Sequence, residues 1–111
     1  MHRTLIVAKL RTDNPQQIAD AFAESDATEL PHMIGVSRRT LFTFHDLYFH
    51  LVEADKDISP SLYQARKHPL YQKLNTTLAE LVSPYDPGWQ EPKDAMADPI
   101  YVWTTEKGQT T

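Results

Sequence analysis

The sequence predicts an α+β fold of the ferredoxin-like type, β-α-β-β-α-β, with a four-stranded antiparallel sheet and helices on one of its faces. Two apolar, β-branched runs near the ends of the chain predict its first and last strands, at Thr4–Leu10 and Ile100–Thr104. Between them, two aromatic and β-branched runs flank the pair His45-Asp46, which is the spacing of a β-hairpin. Helix-start signals separate the hairpin from each terminal strand. Two such split β-α-β units with right-handed crossovers give this architecture.

The amino-terminal part of the chain predicts a strand followed by a helix. Thr4–Leu10 (TLIVAKL) is almost continuously apolar, which is typical of a central strand. Asn14 then provides an N-cap, and Pro15 suits the first helical position, where no backbone donor is needed. An inner stripe of apolar and small residues continues to about residue 25, so the helix is predicted to end at Ser25 or Asp26.

The predicted hairpin consists of Val36–Phe44 and Leu47–Ala54, after a connector at Ala27–Gly35 that Pro31 interrupts. A two-residue turn places Phe44 opposite Leu47 and fixes every further pair. One face then carries Arg38, Thr40, Phe42, Phe44, Leu47, Phe49, Leu51 and Glu53. The other carries Arg39, Leu41, Thr43, Tyr48, His50 and Val52. Both faces are largely apolar, so both are predicted to be covered, and the second holds an imidazole diagonally next to a guanidinium.

The carboxyl-terminal half predicts two helices, a loop and a last strand. A short helix is expected at Pro60–Lys67 and a longer, leucine-striped one at Pro69–Val82, because Pro69 breaks the first. His68, directly before that proline, is expected to cap or stop a helix. The proline-rich segment Ser83–Pro99 is predicted to be a loop, and Ile100–Thr104 (IYVWT) the fourth strand.

Length and composition limit the functional classes. The 111 residues predict a single domain at residues 1–105 with a disordered tail at residues 106–111. A formal net charge of −4 without a Lys/Arg cluster argues against nucleic acid or an anionic membrane as partner. The absence of cysteine excludes disulfides and thiolate metal sites. No signal peptide or membrane-spanning run is recognised, so a cytoplasmic location is expected.

One face of the predicted sheet lacks helices and is strongly apolar. Phe42, Phe44 and Phe49 lie on it. An exposed apolar patch of this kind usually marks an interaction surface. We therefore predict a homodimer that packs sheet against sheet, a dimeric α+β barrel.

The segment ATELPHMIGVSRRTLFTFHDLYFHLVEAD, together with His68-Pro69 and a closing Trp103-Thr104, resembles the small type II aromatic polyketide cyclases over nearly the whole chain. The resemblance implies a dimeric ferredoxin-like fold with a pocket between sheet and helices. It also implies aldol-type ring closure with dehydration or aromatisation of a poly-β-ketone, in the biosynthesis of a polyketide antibiotic or pigment. By motif, the implied functional residues are Asp26, Arg39 and His50. Ser25 stands where some members have a histidine, so a proton-transfer role of that histidine does not carry over directly.

The residue chemistry agrees with such a reaction. Ring closure needs a base for a proton between two carbonyls, a cation where enolate charge develops, and an acid that helps water to leave. His50 can serve as base and then as acid, Arg39 only as electrostatic stabiliser, and Asp26 as orienting group or base. Ser25, Tyr48 and Leu41 are predicted to contact the substrate. No cofactor or metal is required.

Three alternatives stay open from the sequence. His50 can be a structural histidine, and Arg39 with Asp26 a structural ion pair. The protein can be a cage that directs spontaneous cyclisation without catalysing it. A cofactor-free oxygenase of similar fold is a third option, based on fold analogy alone. The sequence also leaves open whether the substrate arrives free or on an acyl carrier protein.

Overall fold

The computed structural model describes residues 1–105, and the predicted disordered tail at 106–111 lies outside these residues. Helices accompany a four-stranded antiparallel sheet with the strand order β2-β3-β1-β4. The elements in chain order are β1 His2–Leu10, α1 Gln16–Asp26, α2 Leu30–Ile34, β2 Val36–Phe44, β3 Leu47–Ala54, α3 Ser59–Ala65, α4 Pro69–Leu78 and β4 Val82–Pro84, followed by a 3-10 helix at Pro92–Ala95. The predicted ferredoxin-like class is confirmed.

The central hairpin has the predicted turn and register. Phe44 is paired with Leu47, and the pairing continues without a shift to Arg38 opposite Glu53. A bulge lies between Arg38 and Val36. His45 occupies the turn with a φ of 55°, a left-handed conformation that histidine adopts more readily than most residues. The turn therefore forms without glycine, and the hydrophobic pattern of the two strands fixes their register.

Strand β3 divides the molecule into two sides. Its even-numbered residues from Tyr48 to Ala54 are buried, whereas its odd-numbered residues from Leu47 to Glu53 are only half-buried. The buried side packs on α1, where Ile18 and Phe22 form a core cluster with Ala8 and Tyr48. We call this side of the sheet the inner face and the opposite side the outer face.

The predicted connector between α1 and the hairpin contains a helix, α2, that the sequence analysis missed. Pro31 lies in its first turn, where a missing backbone donor does no harm, so the proline starts this helix instead of preventing it. The Thr28 hydroxyl accepts a hydrogen bond from the Leu30 backbone amide at 3.2 Å. Gly35 then ends the helix with a φ of 91°, the left-handed conformation that glycine adopts without strain.

The fourth strand is not the predicted segment Ile100–Thr104, which is not a strand. The fourth strand is Val82–Pro84, and it pairs with the end of β1. The sequence predicts the end of a helix and the start of a loop at these residues. Farther along β1, Met96 bridges Ile6, and the Ala97 amide donates to the Leu5 carbonyl at 2.7 Å. The edge of β1 that a late strand would need is therefore already occupied in part.

Both helices after the hairpin form, with shorter bounds than predicted. Helix α4 ends at Leu78 instead of Val82, because the chain turns there to enter β4. His68 caps it as predicted, since its Nδ1 accepts a hydrogen bond from the Leu70 amide at 3.0 Å. Within residues 1–105, none of the helices combines the length and the apolar character that a transmembrane span requires.

Candidate functional site

The three predicted catalytic residues lie in one hydrogen-bonded group. Arg39 donates from Nε to Asp26 Oδ2 at 3.0 Å and from Nη2 to Asp26 Oδ1 at 2.7 Å. Its remaining terminal nitrogen, Nη1, lies 2.9 Å from His50 Nε2. The guanidinium therefore bridges a carboxylate and an imidazole, with both carboxylate oxygens engaged in a bidentate pair.

Three different elements bring these side chains together. Arg39 lies on the inner face of β2 opposite Val52, and His50 lies on β3 opposite Leu41, so the two are diagonal neighbours. Asp26 is the last residue of α1. Since α1 packs on the inner face, its carboxyl-terminal end stands over the strand that carries Arg39. The strand register is local, but the approach of Asp26 depends on how α1 packs.

Burial differs across the group and sets a gradient of polarity. The side chain of Arg39 is 13% exposed, and that of Asp26 is 38% exposed. His50 is buried, as one of few buried polar residues. The carboxylate is therefore at the solvent-exposed end of the group and the imidazole at the buried end. An electrostatic interaction with the guanidinium is stronger toward the imidazole, where water is excluded.

His50 is neutral in this arrangement. A guanidinium has only donors, so Nη1 donates and His50 Nε2 accepts, which leaves the imidazole proton on Nδ1. Burial, and next the charge of Arg39, lower the pKa of His50 from its usual 6.5 to about 3. Burial and the neighbouring cation therefore both act against the imidazolium form.

Phe22, a core residue on the inner stripe of α1, also belongs to the site. The Arg39 guanidinium carbon lies 4.7 Å from the centre of the Phe22 ring. The His50 ring centre is 4.9 Å from the same ring, with the two planes inclined by 60°. The apolar period of the first helix placed Phe22 inside. Its contact with the two polar residues requires the packing of helix on sheet.

Leu41 and Tyr48, predicted to contact substrate, both line a cavity of about 220 Å³ between α1 and the hairpin. Leu41 is the cross-strand partner of His50, so the cavity begins next to the polar group. Tyr48 is buried, and burial raises the pKa of its hydroxyl. Its phenol therefore stays protonated at neutral pH and can donate a hydrogen bond. The remaining lining residues are Pro15, Gln16, Ile18, Ala19 and Thr43.

Ser25, the third residue predicted to contact substrate, is not among the residues that line this cavity. It is half-buried on α1 beside Asp26, and within residues 1–105 no hydrogen bond joins its side chain to Arg39 or His50. Its backbone carbonyl accepts hydrogen bonds from the Thr28 hydroxyl at 2.6 Å and from the Thr28 amide at 3.0 Å.

A larger concavity of about 310 Å³ lies elsewhere, beside the start of α4. Met33, Lys67 and His68 are among its lining residues, and none of the predicted site residues belongs to the lining. Of these two cavities, the smaller one adjoins the buried polar group, through Leu41 opposite His50. In the described part of the chain, no three His, Asp or Glu residues are grouped so that they could hold a metal ion.

The sequence is similar to known proteins over nearly its whole length. A sequence model of the family described as polyketide synthesis cyclase matches residues 2–104. Tetracenomycin F2 cyclase of Streptomyces glaucescens is 50% identical over 103 residues, which cover 93% of this chain and 94% of the relative. The polyketide synthase CurG of Streptomyces cyaneus is 42% identical over 104 residues, covering 93% and 97%.

The fold agrees with a solved structure as well. The structure of tetracenomycin F2 cyclase from Streptomyces glaucescens, described as a type-II polyketide cyclase, superimposes with a TM-score of 0.89. It is 49% identical to this chain, and the match covers 96% of this chain and all of that one.

Proposed function

The chain belongs to the polyketide synthesis cyclase family and is a polyketide cyclase, and from this premise we propose that Arg39, His50 and Asp26 carry an intramolecular aldol-type ring closure with dehydration. The substrate class is a poly-β-ketone intermediate of aromatic polyketide biosynthesis. The observation that carries the proposal is the guanidinium of Arg39 held between the Asp26 carboxylate and the buried, neutral imidazole of His50.

In this proposal, Arg39 stabilises the negative charge that develops on a substrate oxygen. Enolate and aldolate oxygens carry the charge of the transition states, and a fixed cation in a water-poor site stabilises them best. The guanidinium of Arg39 supplies such a cation, and its side chain is mostly shielded from water. Asp26 orients it through two hydrogen bonds and balances its charge in the resting enzyme.

His50 moves the protons. A pKa of about 3 makes a weak base at rest, and Arg39 occupies the lone pair of Nε2. When a substrate oxygen takes up a hydrogen bond from Arg39, that lone pair is released. The enolate charge forming next to the imidazole then raises its pKa, as any nearby anion does. The base therefore gains strength as the proton is transferred.

The steps balance without an added reagent. His50 takes a proton from a carbon between two carbonyls, and the resulting enolate carbon attacks a second carbonyl carbon of the same chain. The imidazolium returns the proton to the new alkoxide. Loss of a second carbon-bound proton and of the hydroxyl group as water then forms the double bond. Leu41, Tyr48 and Ser25 contact the folded substrate in this scheme, with Tyr48 as hydrogen-bond donor.

The second part of the proposal is a homodimer that packs outer face on outer face. Phe42 is 48% exposed and Phe44 62% exposed on this face, next to the half-buried Phe49. The segment that follows the sheet adds further exposed apolar side chains, including Trp103 at 69%. So much apolar surface is unusual for a monomer.

Sedimentation equilibrium tests the dimer. The wild type should be dimeric, and Phe49→Glu should give a folded monomer. A wild type that is monomeric at micromolar concentration contradicts this part of the proposal.

The test of the mechanism is single-turnover cyclisation with saturating protein, with the substrate supplied free and, separately, on an acyl carrier protein. His50→Gln and Arg39→Met should bind ligand nearly as well as the wild type but cyclise roughly 10²–10⁴ times more slowly. The comparison of free and carrier-bound substrate identifies the form that the enzyme accepts. Near-normal turnover by both variants contradicts the mechanism.

A non-catalytic cage is the second candidate, and one observation favours it. His50 is hydrogen-bonded and neutral with a very low pKa, as a purely structural histidine would be. A cage predicts that both variants still direct the same ring closure at an unchanged rate. It also predicts that a change of cavity shape, Leu41→Ala, alters the product distribution more than either of them does.

A further inference from the structure

We propose that Phe22 is a positioning residue of the site, whose ring holds the Arg39 guanidinium in place beside His50. The proposal rests on the proposed function, because it assumes that these two residues do the chemistry. Phe22 does not touch the reacting atoms in this scheme. It acts through the two groups that do.

The first step is the double contact of one ring. Phe22 lies 4.7 Å from the Arg39 guanidinium carbon and 4.9 Å from the His50 ring centre. It is itself only 5% exposed, so surrounding core residues fix its orientation. Among the described residues, Phe22 is the only aromatic ring that makes a cation–π contact with the Arg39 guanidinium.

The second step is electrostatic. The face of a benzene ring carries partial negative charge and attracts a cation above it. Such a contact is stronger when water is excluded, and the Arg39 side chain is 13% exposed. Asp26 pulls the guanidinium toward the solvent-exposed end of the group. The Phe22 ring stabilises it over the buried end, where Nη1 reaches His50.

The third step separates this role from ordinary core packing. Ile18 lies on the same helix and in the same core cluster, yet the contacts to Arg39 and His50 come from Phe22. Burial of apolar surface requires no particular charge distribution, so a leucine would serve it nearly as well. The attraction of a ring for a cation, by contrast, depends on the density of its π electrons, which fluorine lowers. The two roles therefore respond differently to fluorination.

The experiment replaces Phe22 with mono-, di- and trifluorinated phenylalanine in the full-length chain. Fluorine weakens the attraction of the ring for a cation in steps and changes its shape little. We expect kcat to fall in the same order, by roughly 2- to 30-fold over the series. KM and Tm should stay nearly constant. A kcat that does not change across the series overturns the proposal.

A second readout keeps the proposal separate from the proposed function. The ¹⁵N resonance of His50 Nε2 reports the hydrogen bond from Arg39 whether or not the residues are catalytic, and it should shift steadily with fluorination. A constant resonance overturns the positioning role. Near-normal turnover by Arg39→Met and His50→Gln overturns the proposed function instead.

A control variant measures the effect of core destabilisation alone. Ile58→Val removes one methylene from the second core cluster, in which Val52 and Ala54 also lie, and Ile58 is 4% exposed. It should lower Tm without changing kcat or the His50 resonance. Phe22→Leu should lower kcat and move the resonance. If Ile58→Val lowers kcat as much as Phe22→Leu does, the effect is one of stability and the proposal fails.

Discussion

The two faces of the sheet use similar side chains for different purposes. Along β3, residues alternate between a buried inner face, with Tyr48, His50 and Val52, and a half-buried outer face, with Phe49 and Leu51. On the inner face, the apolar side chains pack on helices and enclose a polar group. On the outer face, Phe49 and Leu51 are half-buried, and Phe42 and Phe44 of β2 are exposed. Because side chains alternate along a strand, one side of β3 can contribute to a core and a site while the other side forms a prospective interface.

Arg38 and Arg39 show the same difference at adjacent positions. Arg38 lies on the outer face with a side chain that is 75% exposed, and its Nε is 3.8 Å from Glu53. Arg39, on the inner face, is 13% exposed and makes hydrogen bonds to Asp26 and His50. Water screens the first guanidinium and not the second. Equal charges one residue apart therefore differ in what they can do to a neighbouring group.

The largest expected effect follows from placing a carboxylate on each face in turn. Val52 is 2% exposed, and its cross-strand neighbour Arg39 is already paired with Asp26. Val52→Asp therefore buries a second carboxylate beside one guanidinium and should cost several kcal/mol, enough to unfold a domain whose total stability is about 5–15 kcal/mol. Leu51→Asp should leave the monomer folded and abolish the dimer. Circular dichroism and sedimentation equilibrium on both variants check this. If Leu51→Asp unfolds as completely as Val52→Asp, the faces are equivalent.

The next effect concerns the dependence of stability on pH. The pKa of His50 is lowered by folding from 6.5 to about 3, so the unfolded chain binds more protons than the folded one between these values. The stabilisation is therefore present above pH 6.5 and is lost as the pH falls toward 3. His50→Gln lacks this contribution. The free energy of unfolding of the wild type should fall with acid by a few kcal/mol more than that of the variant.

Urea titrations of both proteins at several pH values measure this difference directly. Carboxylates titrate in the same range in both, so their contribution cancels in the comparison. Parallel pH curves for wild type and His50→Gln contradict the assignment of a neutral, buried imidazole.

A smaller effect is expected for Asp26→Asn, which keeps the shape of the carboxylate and removes its charge. Because Asp26 is 38% exposed, the loss in unfolding free energy should be about 1 kcal/mol. The cyclisation rate should fall by about tenfold, as expected for an orienting group. A loss of roughly 10²–10⁴ would instead identify Asp26 as the base. Single-turnover kinetics with a parallel binding titration distinguishes the two.

The smallest effect is expected for Arg38→Ala. An exposed ion pair with a separation of 3.8 Å should contribute less than about 0.5 kcal/mol, and Glu53 keeps a second partner in Arg3 at 3.2 Å. Thermal unfolding should therefore be almost unchanged. If Arg38→Ala lowers the unfolding free energy as much as Asp26→Asn does, the charges of the outer face are less screened by water than their exposure indicates.

The sequence by itself determined the features that depend on alternation along a strand. A side chain on a strand can point to only two sides, so the hairpin register, the inner position of Arg39 and His50, and the exposed phenylalanines of the outer face all follow from local pattern. The cap at His68 is local in the same sense. The same alternation places a guanidinium beside His50 on a covered face, and burial and that cation both lower the pKa of His50.

Only the tertiary structure decided which segments meet. Ile100–Thr104 has the composition of a strand, but β-propensity describes a fit to a neighbouring edge, and Val82–Pro84 pairs with that edge of β1 immediately after α4. The two-point contact of Asp26 with Arg39, and the placing of the Phe22 ring against Arg39 and His50, depend on the angle and depth at which α1 packs on the sheet. Such contacts join residues far apart in the chain, and their distances are set by the packing of the whole core, which no local periodicity encodes.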